Sequence, residues 1–170
     1  MDLQINKKAF ESACNDGNLK RVQGMLGSGD IVNVNFVNEY GSTPLILACL
    51  KGHTDIVKVL LDNYADFNVQ GPKDWSPLHC ATFYGHIETA NLLLIHGSRI
   101  DVENSHGYVP GSAFNKGVPS DKCAQIKRLL TSYETKNSRF EDPEEFQGNK
   151  ISCSVFEIVF EKLTCRTRTN

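Results

Sequence analysis

Apolar side chains recur along the chain at the spacing of short amphipathic helices. The clearest block, residues 56–61, places four apolar side chains on one helical face. The block returns thirty-three residues later, where 89–94 again ends in two leucines. Another short segment precedes each block, at 43–48 or 76–81, and begins with a hydroxyl residue followed by a proline. The pattern therefore predicts pairs of short helices that repeat along the chain.

Signals at the ends of these segments favour the same helices. Thr43 is of a type that caps helix N-termini, and Pro44 follows at the first helical position, where its missing N–H costs nothing. Gly52 stands where the first helix would end in a left-handed residue. Asp55 lies in the first turn of the second helix, where a carboxylate complements the helix dipole. We therefore expect two helices in each unit.

Four copies of the unit fit the chain, at about 5–35, 38–70, 71–103 and 104–133. The outer two depart from the pattern, as terminal repeats do because each has only one neighbour. In the last copy a valine replaces the capping hydroxyl residue, and a glycine replaces an apolar residue. We therefore expect its first helix, near 110–116, to be the weakest element of the stack.

The middle units resemble the ankyrin repeat. In 38–70 the resemblance rests on Asn38-Glu39-Tyr40-Gly41-Ser42-Thr43-Pro44-Leu45, then Ala48-Cys49, and then Gly52-His53. It implies an all-α repeat solenoid over residues 1–133, built of helix-turn-helix units with short β-hairpin or loop fingers. Two residues depart from the family pattern, because Tyr64 stands where glycine is usual and Ile46 replaces a histidine. A left-handed backbone at Tyr64 would cost about 1 kcal/mol or more.

The repeat pattern stops after residue 133. Residues 134–150 carry many charges together with a proline and a glycine, which predicts a flexible linker. The C-terminal segment, 151–170, begins with an apolar run that fits either a helix or a strand. Two roles are open for this segment: it folds back onto the end of the fourth repeat, or it binds a partner.

Composition and charge narrow the class of partner. The 170 residues are 40% hydrophobic and 22% charged, and a net charge of −2 gives no reason to expect nucleic acid or a membrane. No apolar run reaches the roughly 20 residues of a membrane span, and no signal peptide is evident. The six cysteines lack the spacing of a metal site. Their interpretation as buried, reduced thiols favours a cytoplasmic or nuclear location.

Motifs of catalysis are absent from the sequence. It contains no glycine-rich phosphate loop, no GxSxG and no HExxH, so we expect no enzyme activity, no cofactor and no metal. For His53, His79 and His86 the resemblance implies structural hydrogen bonds. The sequence therefore favours binding over catalysis.

The resemblance also implies which positions contact a partner protein or peptide. In ankyrin repeats these are the finger tips, the residue before the Thr-Pro pair, and the two residues before the Gly-His pair. On this chain the positions are Glu39, Tyr40, Ser42, Leu50, Lys51, Lys73, Trp75, Phe83, Tyr84, His106 and Tyr108. Solvent-facing aromatic residues among them would serve as interface anchors. The alternative is that these rings pack against adjacent fingers and shield the stack.

The leading functional prediction is a non-catalytic, monomeric interaction module that binds its partner on the concave face of the stack. One alternative is a regulatory inhibitor that masks a kinase or a transcription factor. Another is a scaffold that presents residues 151–163 as the effector. A modification is also predicted, because Asn68 and its neighbours resemble the sequence that asparaginyl hydroxylases recognise in ankyrin domains.

Overall fold

The computed structural model describes residues 3–29, 31 and 33–137. Its helices are α1 (Leu3–Asn15), α2 (Leu19–Gly27), α3 (Pro44–Lys51), α4 (Thr54–Asp62), α5 (Pro77–Phe83), α6 (Ile87–Ile95) and α7 (Ser120–Asn137). A short 3-10 turn, Pro72–Asp74, lies between α4 and α5. The described ranges contain no strand, so the fingers there are loops. The prediction of an all-α repeat fold is confirmed.

Side-chain caps begin α3 and α5, as the sequence predicts. Thr43 Oγ1 accepts a hydrogen bond from the Ile46 N–H at 3.3 Å, and Pro44 is the first residue of α3. At α5, Ser76 Oγ accepts from the His79 N–H at 3.3 Å, and the Ser76 N–H donates to His79 Nδ1 at 3.2 Å. This reciprocal pair satisfies N–H groups that would otherwise lack partners at the start of a helix.

A glycine after α3 ends that helix and makes room for a histidine of the next repeat. Gly52 has a φ of 73°, which glycine adopts without the steric cost that a Cβ brings. A Cβ on Gly52 would also collide with the His86 ring. His86 Nε2 donates to the Leu50 carbonyl at 3.1 Å, and His53 Nε2 donates to the Asn15 carbonyl at 3.1 Å. These histidines therefore join neighbouring repeats by hydrogen bonds.

The helices stack in two layers. The inner helices α1, α3 and α5 pack side by side, and α2, α4 and α6 pack beside one another in the second layer. The core includes the fully buried side chains of Phe10, Val22, Leu45, Ile56, Leu60, Leu78 and Leu93. Burial of one such side chain contributes about 1.5–3 kcal/mol, so each repeat is stabilised largely by the neighbour it packs against. No helix within the described ranges is long and apolar enough to cross a membrane.

The fourth repeat has no first helix. Residues 109–119 form turns and irregular loop, so the segment at 110–116, where the weakest helix was expected, is not helical. Val109 offers no capping oxygen in the place of Thr43. Gly111 has a φ of 77°, and a Cβ at that position would collide with Leu130. A residue with this left-handed φ cannot belong to a right-handed α-helix.

Two hydrogen bonds attach this loop to the third repeat in place of helix packing. The Gly111 N–H donates to Thr82 Oγ1 at 3.0 Å. The Asn115 N–H donates to the Phe83 carbonyl at 2.8 Å. Val118 packs against Gly85, where an added Cβ would lie 2.7 Å from a Val118 methyl group. The loop therefore covers the end of α5 without helical geometry of its own.

The last helix is longer than a repeat requires. Ile126 and Leu130 of α7 are buried in the core. The helix continues to Asn137, so residues 134–137, which the sequence places in a flexible linker, are helical. The remainder of the predicted linker and the apolar segment 151–170 lie outside the described residues.

One left-handed turn is formed without glycine. Tyr64, just after α4, has a φ of 62°, and its side chain is 89% exposed. Its carbonyl accepts a hydrogen bond from Asn35 Nδ2 at 3.0 Å. The backbone therefore takes the conformation that glycine favours and bears the steric cost of a Cβ.

Candidate partner-binding site

Two of the finger loops, 38–42 and 104–108, are built alike. Each begins with an asparagine whose Oδ1 accepts hydrogen bonds from the N–H groups two and four residues later, at 2.9–3.1 Å. The asparagine N–H donates to the carbonyl of the last finger residue, at 2.9 Å in the first loop and 3.0 Å in the second. These bonds hold each finger tip in one conformation.

The finger between them, 71–75, takes a different conformation. Gly71 stands in the place of the asparagine, and a Cβ there would lie 2.6 Å from Ile46 Cδ1. Without the asparagine side chain, the tip turns through two left-handed residues, Lys73 (φ 56°) and Asp74 (φ 59°). The Gly71 N–H still donates to the Trp75 carbonyl at 2.9 Å. The tip therefore presents Lys73 at the position that an aromatic or histidine ring occupies in the other fingers.

An inner-helix residue contacts each finger of the following repeat. Glu11, Ile46 and His79 occupy equivalent positions in successive repeats. Asn38 Nδ2 donates to Glu11 Oε1, whereas His79 Nε2 donates to the Tyr108 carbonyl at 2.8 Å. Ile46 instead makes the apolar contact with the 71–75 finger described above. The contact between finger and inner helix is therefore of a different type at each repeat boundary: a hydrogen bond to a carboxylate, an apolar contact, or a hydrogen bond from a histidine.

Three aromatic side chains, Trp75, Phe83 and Tyr84, form a continuous group that we call the aromatic cluster. The Trp75 and Phe83 rings meet edge to face at 4.9 Å, and the Phe83 and Tyr84 rings meet edge to face at 5.1 Å. Trp75 and Phe83 are half-buried, and Trp75 also packs against the core. Tyr84 is 39% exposed and stacks on His86 at 6.3 Å. The cluster thus both shields the stack and presents aromatic surface to solvent.

Tyr108 lies across a narrow cleft from the cluster. Tyr108, Trp75 and Phe83 line this cleft, whose volume is about 10 Å³. Tyr108 is 45% exposed, and its ring stacks on the His106 ring at 6.3 Å. Asn104 also lines the cleft, and its buried Nδ2 has no hydrogen-bond partner among the described residues. The structure therefore brings together the aromatic residues of the third and fourth repeats.

Tyr40 belongs to a separate place on the same side of the stack. It is 73% exposed and lines an open groove of about 570 Å³. The predicted contact residues Glu39 and Ser42 line the same groove. The predicted aromatic positions are thus divided between this groove and the surface around Trp75.

The remaining predicted contact residues are at the end of α3 and at two finger tips. Leu50 is half-buried and Lys51 is exposed at the end of α3. Lys73 and His106 are exposed at the tips of their fingers. The Ser105 N–H donates to the Lys73 carbonyl at 3.1 Å, so these two tips are in direct contact.

Sequence reasoning missed the wall of the groove that α1 contributes. Its lining residues from that helix are Lys8, Glu11, Ser12 and Asn15. The first repeat lacks the Thr-Pro signature, so the resemblance assigns no contact position to it. The signal was nevertheless present, since Asn15 occupies the same position in its repeat as the predicted contact residues Leu50 and Phe83.

Comparison with protein families decides the assignment of this stack. A family model described as ankyrin repeats in three copies matches residues 10–104. The chain belongs to the ankyrin-repeat family. Ankyrin repeats generally mediate protein–protein interaction, and proteins of this kind are generally non-catalytic.

Several curated proteins are similar to this ankyrin chain over part of their length. Mouse Ankyrin repeat and SAM domain-containing protein 6 is 33% identical over 118 residues, which is 68% of this chain and 13% of that protein. Mouse Protein phosphatase 1 regulatory subunit 12A is 34% identical over 94 residues, which is 55% of this chain and 9% of that protein. Tyrosine-protein kinase HTK16 of Hydra vulgaris is 34% identical over 101 residues, or 58% of this chain and 13% of the kinase. The chain thus spans a small fraction of each relative.

Three cysteines of this ankyrin stack, Cys14, Cys49 and Cys80, are buried, whereas Cys123 is partly exposed. Burial raises the pKa of Cys14 and of Cys80 to about 12, and burial also raises the pKa of Cys49. These thiols are therefore protonated and weakly nucleophilic at neutral pH. Burial lowers the pKa of His79 and of His86. Within residues 3–29, 31 and 33–137, no group of three His, Cys, Asp or Glu side chains is placed to hold a metal ion.

Asn68, the predicted hydroxylation site, bridges two ankyrin repeats. It is exposed, and its Oδ1 accepts a hydrogen bond from the Arg99 N–H at 3.0 Å. Its own N–H donates to Asp66 Oδ1 at 2.9 Å. Hydroxylation remains a prediction, which mass spectrometry of protein from cells with an asparaginyl hydroxylase would test by the gain of one oxygen atom.

Proposed function

We propose that this ankyrin stack is a non-catalytic module that binds a partner protein or peptide on the surface formed by its fingers and inner helices. The observation that carries the proposal is the aromatic cluster. Large rings that are partly exposed yet held by the core are typical of the residues that dominate binding energy at protein interfaces. Tyr84 and Tyr108 offer such exposed aromatic area, at 39% and 45%.

The rigidity of the cluster supports this proposal. Each ring is fixed by an edge-to-face or stacked neighbour, so little side-chain entropy is lost when a partner covers it. The finger that carries Trp75 is closed by the Gly71–Trp75 backbone hydrogen bond. A pre-formed surface of this kind binds without a large conformational change.

A double substitution tests the proposal. Trp75→Ala with Tyr84→Ala removes the half-buried and the exposed end of the aromatic cluster. We expect affinity for a partner purified by pull-down to fall at least about thirtyfold, because even one anchor of this type contributes about 2 kcal/mol or more. Binding is measured by surface plasmon resonance.

The matched control is Tyr64→Ala, which removes an exposed tyrosine beyond the proposed surface. Circular dichroism melts of all variants separate loss of binding from loss of folding. Full affinity in a folded Trp75→Ala, Tyr84→Ala protein would refute the proposal.

A second candidate is regulatory binding, in which the stack holds or masks an enzyme. The observation that favours it is the 34% identity with a phosphatase regulatory subunit. Adding the chain to the purified partner would then change the partner's activity, and the Trp75→Ala, Tyr84→Ala variant would not. An unchanged activity under saturating binding would leave simple docking as the function.

We also propose that the module acts in the cytoplasm or the nucleus. Three cysteines of the stack, Cys14, Cys49 and Cys80, are free and buried. Free buried thiols are typical of proteins that work in a reducing compartment. Fluorescence microscopy of the tagged chain tests the location.

A further inference from the structure

The groove beside Tyr40 is an open concave feature at the boundary between the first and second repeats. It lies between α1 and the 38–42 finger and has a volume of about 570 Å³. Its lining residues are Lys8, Glu11, Ser12, Asn15, Asn38, Glu39, Tyr40, Ser42 and Leu47. The groove has space for a long side chain, whereas the corresponding cleft between the third and fourth repeats holds about 10 Å³.

Side-chain size explains this difference between equivalent places. Asn15 occupies the position in its repeat that Phe83 occupies in the third repeat. Ser42 likewise corresponds to Tyr108 at the end of its finger. Two aromatic rings therefore fill the later cleft, whereas two small polar side chains leave the first one open.

The groove carries two carboxylates that the other repeats lack. Glu11 corresponds to Ile46 and His79, and Glu39 corresponds to Pro72 and Ser105. The acidic pair is therefore found at this boundary between repeats alone.

Neither carboxylate of the groove forms an ion pair with a described residue. The sole ion pair within the described part of the chain is Arg99–Asp101. Glu11 Oε1 accepts from Asn38 Nδ2, and its second oxygen has no hydrogen-bond partner in that part of the chain. Lys8, which is exposed and also lines the groove, offsets one of the two charges and leaves a net negative lining.

Tyr40 adds an aromatic face to this acidic groove. Its ring is 73% exposed. Its backbone N–H is bound by Asn38 Oδ1 at 2.9 Å, so the finger that carries the ring is fixed. A cation that lies over a tyrosine face is attracted by the negative potential of the ring.

We infer that this groove receives an arginine side chain of the bound partner segment. The guanidinium group is planar, stacks on aromatic rings and donates two parallel hydrogen bonds to a carboxylate, which a lysine ammonium does not. Tyr40 supplies the ring, and Glu11 and Glu39 supply the acceptors. This inference rests on the proposed function, because the same segment continues toward the aromatic cluster and places an apolar residue against Trp75.

Random linear peptides displayed on phage provide a test without a known partner. We expect selection on the wild-type chain to enrich peptides that carry an arginine together with a large apolar residue. An enriched peptide is then synthesised with a fluorescent label, and its affinity is measured by fluorescence polarisation. A second version carries citrulline, which has the shape of arginine without its charge.

The variant for this test is Glu11→Gln with Glu39→Gln. Glutamine at position 11 keeps the oxygen that Asn38 Nδ2 requires, so the finger stays in place. We expect affinity for the arginine peptide to fall about tenfold and affinity for the citrulline peptide to stay unchanged, because a charge-assisted pair is the interaction removed. The matched control, Asp62→Asn with Glu88→Gln, removes two exposed acids of α4 and α6 and should change affinity less than about twofold.

The outcomes separate this inference from the proposed function. Peptides whose capture requires Trp75 and Tyr84 but shows no excess of arginine would overturn the arginine site alone. Arginine peptides that bind the double glutamine variant as well as the wild type would do the same. Capture that survives loss of the aromatic cluster would contradict the proposed function. Failure to enrich any peptide would overturn the arginine site alone, because the proposed function also covers a folded partner protein.

Discussion

At the scale of single residues, steric strain is concentrated where side chains occupy left-handed turns. Three described residues other than glycine have a positive φ, namely Tyr64, Lys73 and Asp74. In such a conformation the Cβ lies close to the backbone, which destabilises the fold by about 1–2 kcal/mol per residue. Lys73 and Asp74 lie on the proposed binding surface, whereas Tyr64 lies in the turn after α4. Tyr64 is therefore the place where the strain can be removed without touching that surface.

Tyr64→Gly should stabilise the protein. Glycine relieves the steric cost at φ 62° but makes the unfolded chain more flexible, so the expected net gain is about 0.5–1 kcal/mol. The hydrogen bond from Asn35 is kept, because it goes to the backbone carbonyl. Urea denaturation followed by circular dichroism measures the free energy of unfolding.

Tyr64→Ala is the matched control for this gain. It removes the exposed ring but keeps the Cβ in the left-handed turn. A gain in Tyr64→Ala equal to that in Tyr64→Gly would show that the ring, and not the backbone conformation, is the source of the strain.

At the scale of elements, local signals decide where helices of the stack begin. Thr43 and Ser76 are both nearly fully buried and both accept the N–H three residues later. The two caps differ in the third helical residue, which is Ile46 in α3 and His79 in α5. The His79 ring nitrogen Nδ1 accepts a hydrogen bond from the Ser76 N–H, whereas Ile46 offers no acceptor. The reciprocal capping box is therefore complete in α5 and absent from α3.

Ser76→Ala should destabilise the protein by about 1–2 kcal/mol, because the buried start of α5 loses its capping oxygen. The same denaturation measurement gives the loss. Ser76→Thr keeps an acceptor at that position, as Thr43 does in the preceding repeat, and should cost less than half as much. Equal losses in the two variants would mean that packing, and not the cap, accounts for the effect.

The same local signals determine how much of the fold is predictable from the sequence. The helices of the middle repeats can be predicted from the Thr-Pro and Ser-Pro pairs and from glycines such as Gly52. Each of these signals acts only on the backbone of the helix next to it in the sequence. The loop at 109–119 was predicted less well, since its course depends on contacts with Thr82 and Leu130 from elsewhere in the chain.

The candidate site divides in the same way between local and distant causes. Trp75 and Tyr84 could be assigned from their positions within one repeat. The groove beside Tyr40 could not be predicted in this way, because it depends on the packing of α1 against α3 and on the hydrogen bond between Asn38 and Glu11. Both contacts join two repeats and are not encoded within either one. Pairs of residues across a repeat boundary are therefore the part of a site that one repeat pattern leaves out.

At the scale of the whole molecule, histidines connect one repeat to the next. His79 Nε2 donates to the Tyr108 carbonyl, and His86 Nε2 donates to the Leu50 carbonyl. Since repeat proteins derive their stability from the interfaces between neighbours, a change at these rings acts on the cooperativity of the stack. The His79 ring is also bound through Nδ1, which accepts from the Ser76 N–H and therefore must be unprotonated.

These connections predict a decrease in stability at mildly acidic pH. Burial lowers the pKa of His79 and of His86, partly opposed by the hydrogen bonds to Tyr108 and Leu50, and Lys122 and His53 lower the pKa of His86 further. The unfolded chain therefore binds protons before the folded one does. Stability should be complete above the unfolded value of about 6.5, fall as the pH drops through it, and level off below the folded pKa values.

Urea denaturation at a series of pH values between about 5 and 8 measures this slope for the wild type and for two variants. His86→Gln keeps a side-chain donor for the Leu50 carbonyl but no longer titrates, so its stability should depend less steeply on pH than that of the wild type. His106→Gln, which removes an exposed ring from a finger tip, is the matched control and should keep the wild-type slope. If His86→Gln lost stability in parallel with the wild type at every pH, the acid sensitivity would arise outside this interface between the second and third repeats.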